Sequence, residues 1–224
     1  MSVTETKPLI KLKAVTILSN TEISHNVFIL SFKRDFTFRA GQVLGLAVAP
    51  NDDARLYSIA SGENDENIDI LYNIKPGGKL TPNLAILKPG DTLWISPPFG
   101  TYEGSTEPAY WIAAGTGIAP FISMYRSGMG DNKILLHGGR TLDSFYFSES
   151  LLKDFGTRYI RSCSQQQAEG IYPGRVTQYL EEAENLPLDQ KYYLCGSAEM
   201  VVECREILLS KGIPFNNIVA EIYF

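Results

Sequence analysis

The hydrophobic rhythm of this 224-residue chain changes once, after Pro97-Pro98-Phe99-Gly100, and that change limits the folds open to it. Before that point the apolar residues come in short β-branched or aromatic runs, at 12–18, 27–32, 42–48, 56–60, 68–73 and 92–95. Turn-forming clusters divide them: Asn51-Asp52-Asp53, Ser61-Gly62, Pro76-Gly77-Gly78 and Pro89-Gly90-Asp91. Such clusters end strands because Pro fixes φ, Gly frees it, and Asn and Asp close turns on their own backbone. Six short strands at this spacing predict a closed antiparallel barrel. One short helix is expected after the Gly-rich turn, with Thr81 as N-cap and Pro82 at the first helical position.

Beyond residue 100 strands alternate with helices. A strand over 110–114 runs into Gly115-Thr116-Gly117 and a helix from about 119. Strands follow at 133–137, 158–162, 191–195 and 218–222, with helices at 148–155, 174–184 and 199–211. That alternation predicts a parallel sheet flanked by helices, as in nucleotide-binding folds. The expected architecture is therefore a two-domain β + α/β protein. An antiparallel barrel over 1–103 precedes a parallel-sheet domain over 104–224, joined through Gly104-Ser105-Thr106-Glu107-Pro108. Two compact domains of roughly 100 residues fit the length.

Composition removes several functions. Cys163, Cys195 and Cys204 form no CxxC pair, and His25 and His137 are the only histidines. An iron–sulfur cluster or a structural zinc takes four well-spaced ligands, so any redox chemistry falls to an organic cofactor. A net charge of −5 argues against nucleic acid. No apolar run reaches the roughly 18 residues of a membrane span. The polar first residues do not read as a secretion signal, and cytoplasm is the expected location. Within residues 1–40, Lys7, Lys11, Lys13, Lys33, Arg34 and Arg39 outnumber Glu5, Glu22 and Asp35. This basic segment reads either as a face that guides an acidic partner or as scattered solvated charge.

Five segments carry candidate chemistry, and each has a plain structural reading beside it. Arg55 and Tyr57 share one face of a strand in Arg55-Leu56-Tyr57-Ser58, and a flat aromatic beside a guanidinium suits a ligand with a ring and a phosphate. A barrel strand with one arginine fits equally. The Gly-rich turn before Thr81-Pro82 either offers amides to a pyrophosphate or is a simple loop. Gly115-Thr116-Gly117-Ile118-Ala119-Pro120 lies between a strand and a helix, where small residues let amides approach a dinucleotide or merely make a tight turn. Cys195-Gly196 ends a strand at the edge where parallel sheets bind ligands, although a strand cysteine is ordinarily a buried small hydrophobe. Glu221-Ile222-Tyr223-Phe224 could cover a flat cofactor with a carboxylate beside it, or could dock into the core.

Taken in order, RLYS (55–58), GGKLTPNL (77–84), GTGIAP (115–120), YYLCG (192–196) and the terminal EIYF (221–224) resemble the ferredoxin/flavodoxin–NADP reductase family, bacterial type. The similarity runs from about residue 10 to the end. It implies an FAD-binding barrel followed by an NAD(P)-binding domain. By that resemblance Arg55 contacts the FAD pyrophosphate, Tyr57 packs on the isoalloxazine and Ser58 lies near flavin N5. Gly78, Lys79, Leu80 and Thr81 match the second flavin motif, and Phe224 reaches the adenine. Gly115, Thr116 and Gly117 match the nicotinamide-nucleotide loop, while Cys195 sits beside the nicotinamide and Glu221 near the hydride-transfer site. Tyr223 stacks on the flavin face that the nicotinamide must reach; a terminal residue has one peptide connection and moves aside easily, so Tyr223 is expected to gate access.

The implied reaction is hydride transfer between nicotinamide C4 and flavin N5, which couples NADP(H) to a one-electron carrier. Because no ferredoxin cysteines are present, the carrier, a ferredoxin or flavodoxin, is a separate molecule, and the reductase is expected to be a monomer. The cysteines of the dihydroorotate dehydrogenase reductase subunit are missing too. Arg140 and Arg175 match positions that read the NADP 2′-phosphate. Between them the family often has Ser-Arg, where this chain has Ser164-Gln165, so NADH use stays open; Arg158 or Arg161 are possible substitutes. Three alternatives remain: an NAD(P)H-dependent reductase component of an oxygenase, a free-flavin reductase, and a non-catalytic dinucleotide-binding module.

Overall fold

The computed structural model describes residues 11–223, with the backbone alone at Tyr223. Its first half is one curled antiparallel sheet in the order β4-β3-β6-β1-β2-β5. The strands are β1 (Lys13–Ser24), β2 (Val27–Lys33), β3 (Val43–Ala47), β4 (Arg55–Ser58), β5 (Asn67–Asn73) and β6 (Thr92–Ile95). The two ends of the sheet meet at a single bridge, Ile59 with Ile70, which brings the sheet round into a barrel. Alternation along the strands sends Leu30, Phe32, Leu44, Leu46, Ile59, Ile68, Leu93 and Ile95 into one buried cluster.

β1 runs six residues past the expected run, through the polar Ser19–Ser24 stretch. Its first residues pair with β6 and its later ones with β2, with register shifts between Ile17 and Ser19 and again between Glu22 and Ser24. The pairing is dictated by the tight turn at His25-Asn26, where Asn26 takes φ +60°, so the segment is held by ladder bonds with Ile23 as its one apolar side chain. The short helix α1 (Thr81–Ala85) also departs from expectation. Leu80 is the N-cap and makes no side-chain cap bond, while Thr81 is already helical. The Thr81 hydroxyl instead accepts the Lys75 N–H at 2.8 Å, closing the Gly-rich loop beneath the helix.

The second half is a parallel sheet in the order β10-β9-β8-β7-β11-β12. Its strands are β7 (Ala109–Ala114), β8 (Lys133–Gly139), β9 (Tyr159–Cys163), the two-residue β10 (Tyr172–Pro173), β11 (Lys191–Ser197) and β12 (Ile218–Tyr223). Helices α2 (Ala119–Arg126), α3 (Ser148–Phe155), α4 (Val176–Glu182) and α5 (Ala198–Ser210) connect them. The chain leaves β7 toward β8 on one side and later returns to β11 on the other. The switch in strand order therefore falls between β7 and β11, the place where such sheets open a ligand crevice. A 3₁₀ turn over Gly115–Ile118, not expected as a separate element, joins β7 to α2 there.

One apolar cluster belongs to both halves. Val27, Ala40, Ala60, Leu71 and Tyr102 from the barrel side pack with Trp111, Phe121, Met124 and Phe155. Polar bonds fix the same seam: Arg126 pairs with Asp69 at 2.7 Å and with Asp65 at 3.6 Å. Ser123 donates to the Ser61 carbonyl at 2.6 Å, and the Glu63 N–H donates to Ser127 at 3.0 Å. The two sheets are thereby held in one relative orientation, which the site needs. Arg126→Ala removes the part-exposed ion pairs and is expected to cost about 1 kcal/mol. Thermal unfolding should register this as a Tm lower by roughly 2–4 °C; an unchanged Tm would mean the apolar seam alone sets the orientation.

Candidate functional site

The barrel contributes β4 and the α1 loop. Arg55 is exposed on β4, Tyr57 is half-buried and Ser58 is buried. Tyr57 is braced from below: Tyr72 meets its ring edge-on at 6.5 Å, and Tyr72 in turn stacks on Phe28 at 5.5 Å. The Tyr72 hydroxyl donates to Asn20 Oδ1 at 2.9 Å, and the Asn20 amide donates to the carbonyls of Leu84 and Leu87 at 2.8 and 3.0 Å. One chain of contacts therefore ties the aromatic on β4 to the carboxyl end of α1. Burial pushes the Tyr57 phenol up to about 12, with Arg55 pulling the other way, so the ring is neutral at physiological pH. Phe28, Tyr72 and Asn20 were invisible as site residues because their signal is contact, not sequence pattern.

In the Gly-rich loop the Gly78 N–H is already committed, to the Lys75 carbonyl at 2.9 Å. Among the described residues, the amides of Lys79 and Leu80 meet no acceptor. The Lys79 side chain is exposed on the same loop, and the Arg55 side chain is exposed on β4.

The nucleotide side is built at the carboxyl ends of β7 and β11. Gly117 packs so closely on β11 that a Cβ there would lie 2.3 Å from the Cys195 carbonyl oxygen and 2.9 Å from the Gly196 Cα. Only glycine allows the 3₁₀ turn to lie against that strand. Gly115, at φ +55°, has open space where a Cβ would go. Cys195 is wholly buried and stands in register with Ala113 of β7 and Glu221 of β12.

The two halves are joined at this point by a direct bond: the Ser58 hydroxyl donates to Glu221 Oε2 at 2.8 Å across 163 residues of sequence. Burial raises the Glu221 pKa above the ordinary carboxylate range, and the Ser58 hydrogen bond offsets part of that rise. A polar pair that can hold or release a proton thus sits where the barrel faces the β11–β12 edge.

At the outer edge of the parallel sheet the backbone brings the expected phosphate-reading positions together. The Ser164 N–H donates to Gly139 and the Gln165 N–H to Arg140, at 3.1 and 3.0 Å. Gly174, next to Arg175, donates to Cys163 at 2.9 Å. Arg140 and Arg175 are both exposed, and Arg175 lies 4.0 Å from Glu199. Arg158 is not available as a substitute: its guanidinium is spent on the carbonyls of Gly130, Lys133 and Asp154. Arg161 stacks near Phe145 and Tyr159 at 5.9 and 6.0 Å, and its Nε is buried with no hydrogen-bond partner.

The fold pairs two cations of the basic N-terminal face with acids. Lys13 pairs with Asp35, Lys33 with Glu66 at 2.9 Å, and Arg34 donates to the Glu63 carbonyl at 2.9 Å. Lys7 and Phe224 lie outside the described residues, and so does the side chain of Tyr223 with its expected gating role. Among the described residues no group of His, Cys, Asp and Glu is placed to hold a metal ion, and no helix is long and apolar enough to cross a membrane.

Comparison with known proteins gives the same two halves. Residues 14–103 match the oxidoreductase FAD-binding domain and residues 111–206 the oxidoreductase NAD-binding domain. The chain is 29% identical over 215 residues to the toluate 1,2-dioxygenase electron transfer component of Pseudomonas putida, covering 89% of this chain and 64% of that one. It is 29% identical to the propane 2-monooxygenase reductase component of Mycolicibacterium goodii, covering 80% of this chain but 57% of the relative. It thus spans less than two thirds of these two relatives. With the flavodoxin/ferredoxin–NADP reductase of Escherichia coli it shares 30% identity over 190 residues, which covers 73% of this chain and 76% of the other. Its fold superposes on a ferredoxin NADP+ reductase from Neisseria gonorrhoeae, solved with bound FAD and NADP, with a TM-score of 0.85 at 19% identity. That match covers 96% of this chain and 99% of the other.

The donor set fits these cofactors. Unspent amides at Lys79 and Leu80 with the Lys79 cation on the same loop suit a pyrophosphate, a braced neutral aromatic suits a flat ring, and the glycine turn at β7 leaves room for a phosphate.

Proposed function

We propose, because this chain belongs to the ferredoxin/flavodoxin–NADP reductase family of FAD- and NAD-binding oxidoreductases, that it moves electrons between NADP(H) and a separate ferredoxin or flavodoxin. Bound together, the two cofactors supply hydride transfer between nicotinamide C4 and flavin N5, and FAD can pass the electrons on singly. The observation that carries the reading is the Ser58–Glu221 bond, which sets a proton-holding pair of groups from both domains at one point.

In this reading Arg55, Lys79 and the Lys79 and Leu80 amides hold the FAD pyrophosphate, and Gly78 serves by shaping the turn, since its own amide is spent. The Thr81 hydroxyl locks that turn and keeps its proton to donate. Tyr57 carries the flat ring on its Tyr72–Phe28 support. The Gly115-Thr116-Gly117 turn receives the dinucleotide phosphate, and Cys195 lines the nicotinamide position, where it excludes water rather than reacting. Ser58 and Glu221 orient the reacting groups and manage the proton there. The domains divide at 103/104, as the change in rhythm suggests, and the carrier docks on the barrel side.

Arg140 and Arg175 read the 2′-phosphate. Arg140→Ala is expected to weaken NADPH about tenfold, close to 1.4 kcal/mol, and to leave NADH unchanged. Gln165→Arg is expected to shift preference further toward NADPH. Equal losses for both nucleotides in Arg140→Ala would remove the specificity role. A second reading, a reductase component feeding an oxygenase, is favoured by the uncharged Gln165 and by the similarity to the toluate dioxygenase component.

The test is an anaerobic titration of the purified protein with NADPH and then NADH, followed by flavin absorbance, with ferredoxin or flavodoxin added afterwards. Bleaching by NADPH at low concentration followed by carrier reduction is the expected result. A protein that bleaches but reduces neither carrier favours the oxygenase reading. One that holds no flavin even when FAD is added overturns both.

A further inference from the structure

His137 is buried to 0% exposure in β8, and neither the cofactor motifs nor the reaction uses it. Its ring bonds in two directions: Nδ1 lies 3.1 Å from the Tyr159 hydroxyl on β9, and Nε2 lies 3.4 Å from the Gly115 carbonyl in the turn after β7. A carbonyl oxygen only accepts, so Nε2 carries the proton and Nδ1 is left to accept from the phenol. Burial pushes the His137 pKa down to about 4 and raises that of Tyr159, so both groups are neutral at physiological pH. Phe145 meets the imidazole edge-on at 5.4 Å and the Tyr159 ring is inclined 30° to it at 6.2 Å, which restrains the ring plane.

The acceptor is the interesting end. Gly115 takes φ +55° with open space where a Cβ would go, and as the first residue of the 3₁₀ turn its carbonyl faces along that turn, so the His137 bond is a second, lateral hold on this peptide. A trans peptide is planar, with its C=O and the next N–H pointing in opposite directions. Anchoring the Gly115 carbonyl toward β8 therefore turns the Thr116 N–H away from β8. Early amides of a helical turn have no partner within it, so the orientation of this one is free to serve a ligand.

We propose that His137, oriented by Tyr159, is a positioning residue for the nucleotide loop: it holds the Gly115–Thr116 peptide with the Thr116 amide presented to the dinucleotide phosphate. At 3.4 Å the bond is long, and its contribution is direction more than strength. The inference rests on the nucleotide-binding reading above. It adds that two residues on the neighbouring strands, neither touching nucleotide, set nucleotide affinity.

The experiment measures NADPH and NADH dissociation constants, FAD content and kcat at saturating nucleotide in wild type, His137→Phe, His137→Gln and Tyr159→Phe. His137→Phe is expected to weaken both nucleotides about tenfold and equally, with FAD content and kcat kept, because one amide contact to phosphate is lost. Tyr159→Phe, which frees the ring but leaves it in place, is expected to weaken them about threefold. His137→Gln, whose amide can reach the same carbonyl, recovers most of the affinity. Nitrogen-15 NMR of the wild type is expected to show the Nε2–H tautomer. Dissociation constants within about twofold of wild type, or an Nδ1–H tautomer, overturn the inference while leaving the function intact. Should His137→Phe fail to fold, Tyr159→Phe and the tautomer decide. A wild-type protein that binds neither nucleotide overturns the functional reading itself.

Discussion

Glu221→Gln is expected to slow nucleotide-driven carrier reduction by roughly 100-fold at neutral pH, at the low end of what a positioned acid–base group supplies. Glutamine keeps the size of the side chain, and its amide oxygen can still accept the Ser58 hydroxyl, so the fold and the interdomain bond survive while the ionisable proton is lost. The wild-type rate is expected to show a limb that titrates above the ordinary carboxylate range, because burial raises this pKa, and the variant's profile lacks it. Stability follows the same sign. A carboxyl with a raised folded pKa contributes stability that is full below its unfolded pKa and fades as pH rises through the folded one. Glu221→Gln should flatten that part of the stability curve. Stopped-flow rates across this pH range test the point; a variant within about threefold of wild type, with the limb still present, would remove Glu221 from proton handling.

Gly117→Ala is expected to weaken nicotinamide nucleotide binding at least tenfold and to cost about 1–3 kcal/mol of stability. The added Cβ would stand 2.3 Å from the Cys195 carbonyl oxygen and 2.7 Å from its carbon. Both are backbone atoms of a central strand paired on each side, so they cannot give way. The 3₁₀ turn must lift instead, taking the loop amides with it. Gly196→Ala is the matched control one residue beyond: its nearest new neighbour is the end of the flexible Met200 side chain at 3.3 Å, and a small effect is expected. Isothermal titration with NADPH and a thermal melt distinguish the two. Equal, small effects in both variants would mean that the turn tolerates displacement and does not position the phosphate.

Much of the fold follows from local chemistry. The helix over Ser148–Phe155 lies where its apolar spacing put it, and the strands after residue 100 extend no more than two residues past their expected ends. The barrel strands are marked by their turns. What local reading missed was set by partners far along the chain. β1 continues through polar residues because β2 folds back on it at Asn26, and Thr81 turned inward to Lys75 instead of capping α1.

The candidate site divides in the same way. Sequence by itself named Arg55, Tyr57, Ser58, the two glycine loops, Cys195 and Glu221, because short motifs in a fixed order carry their own spacing. It also named six cations as a possible docking face, but charge along a chain says nothing of which acid lies opposite. The fold pairs Lys13 and Lys33 with Asp35 and Glu66. Only the tertiary structure joined Ser58 to Glu221 across the domain seam, and only it set His137 between Tyr159 and Gly115. Motifs are legible because backbone geometry is local. Hydrogen bonds between strands of different domains are not, because their partners become neighbours only when both apolar faces have been buried against each other.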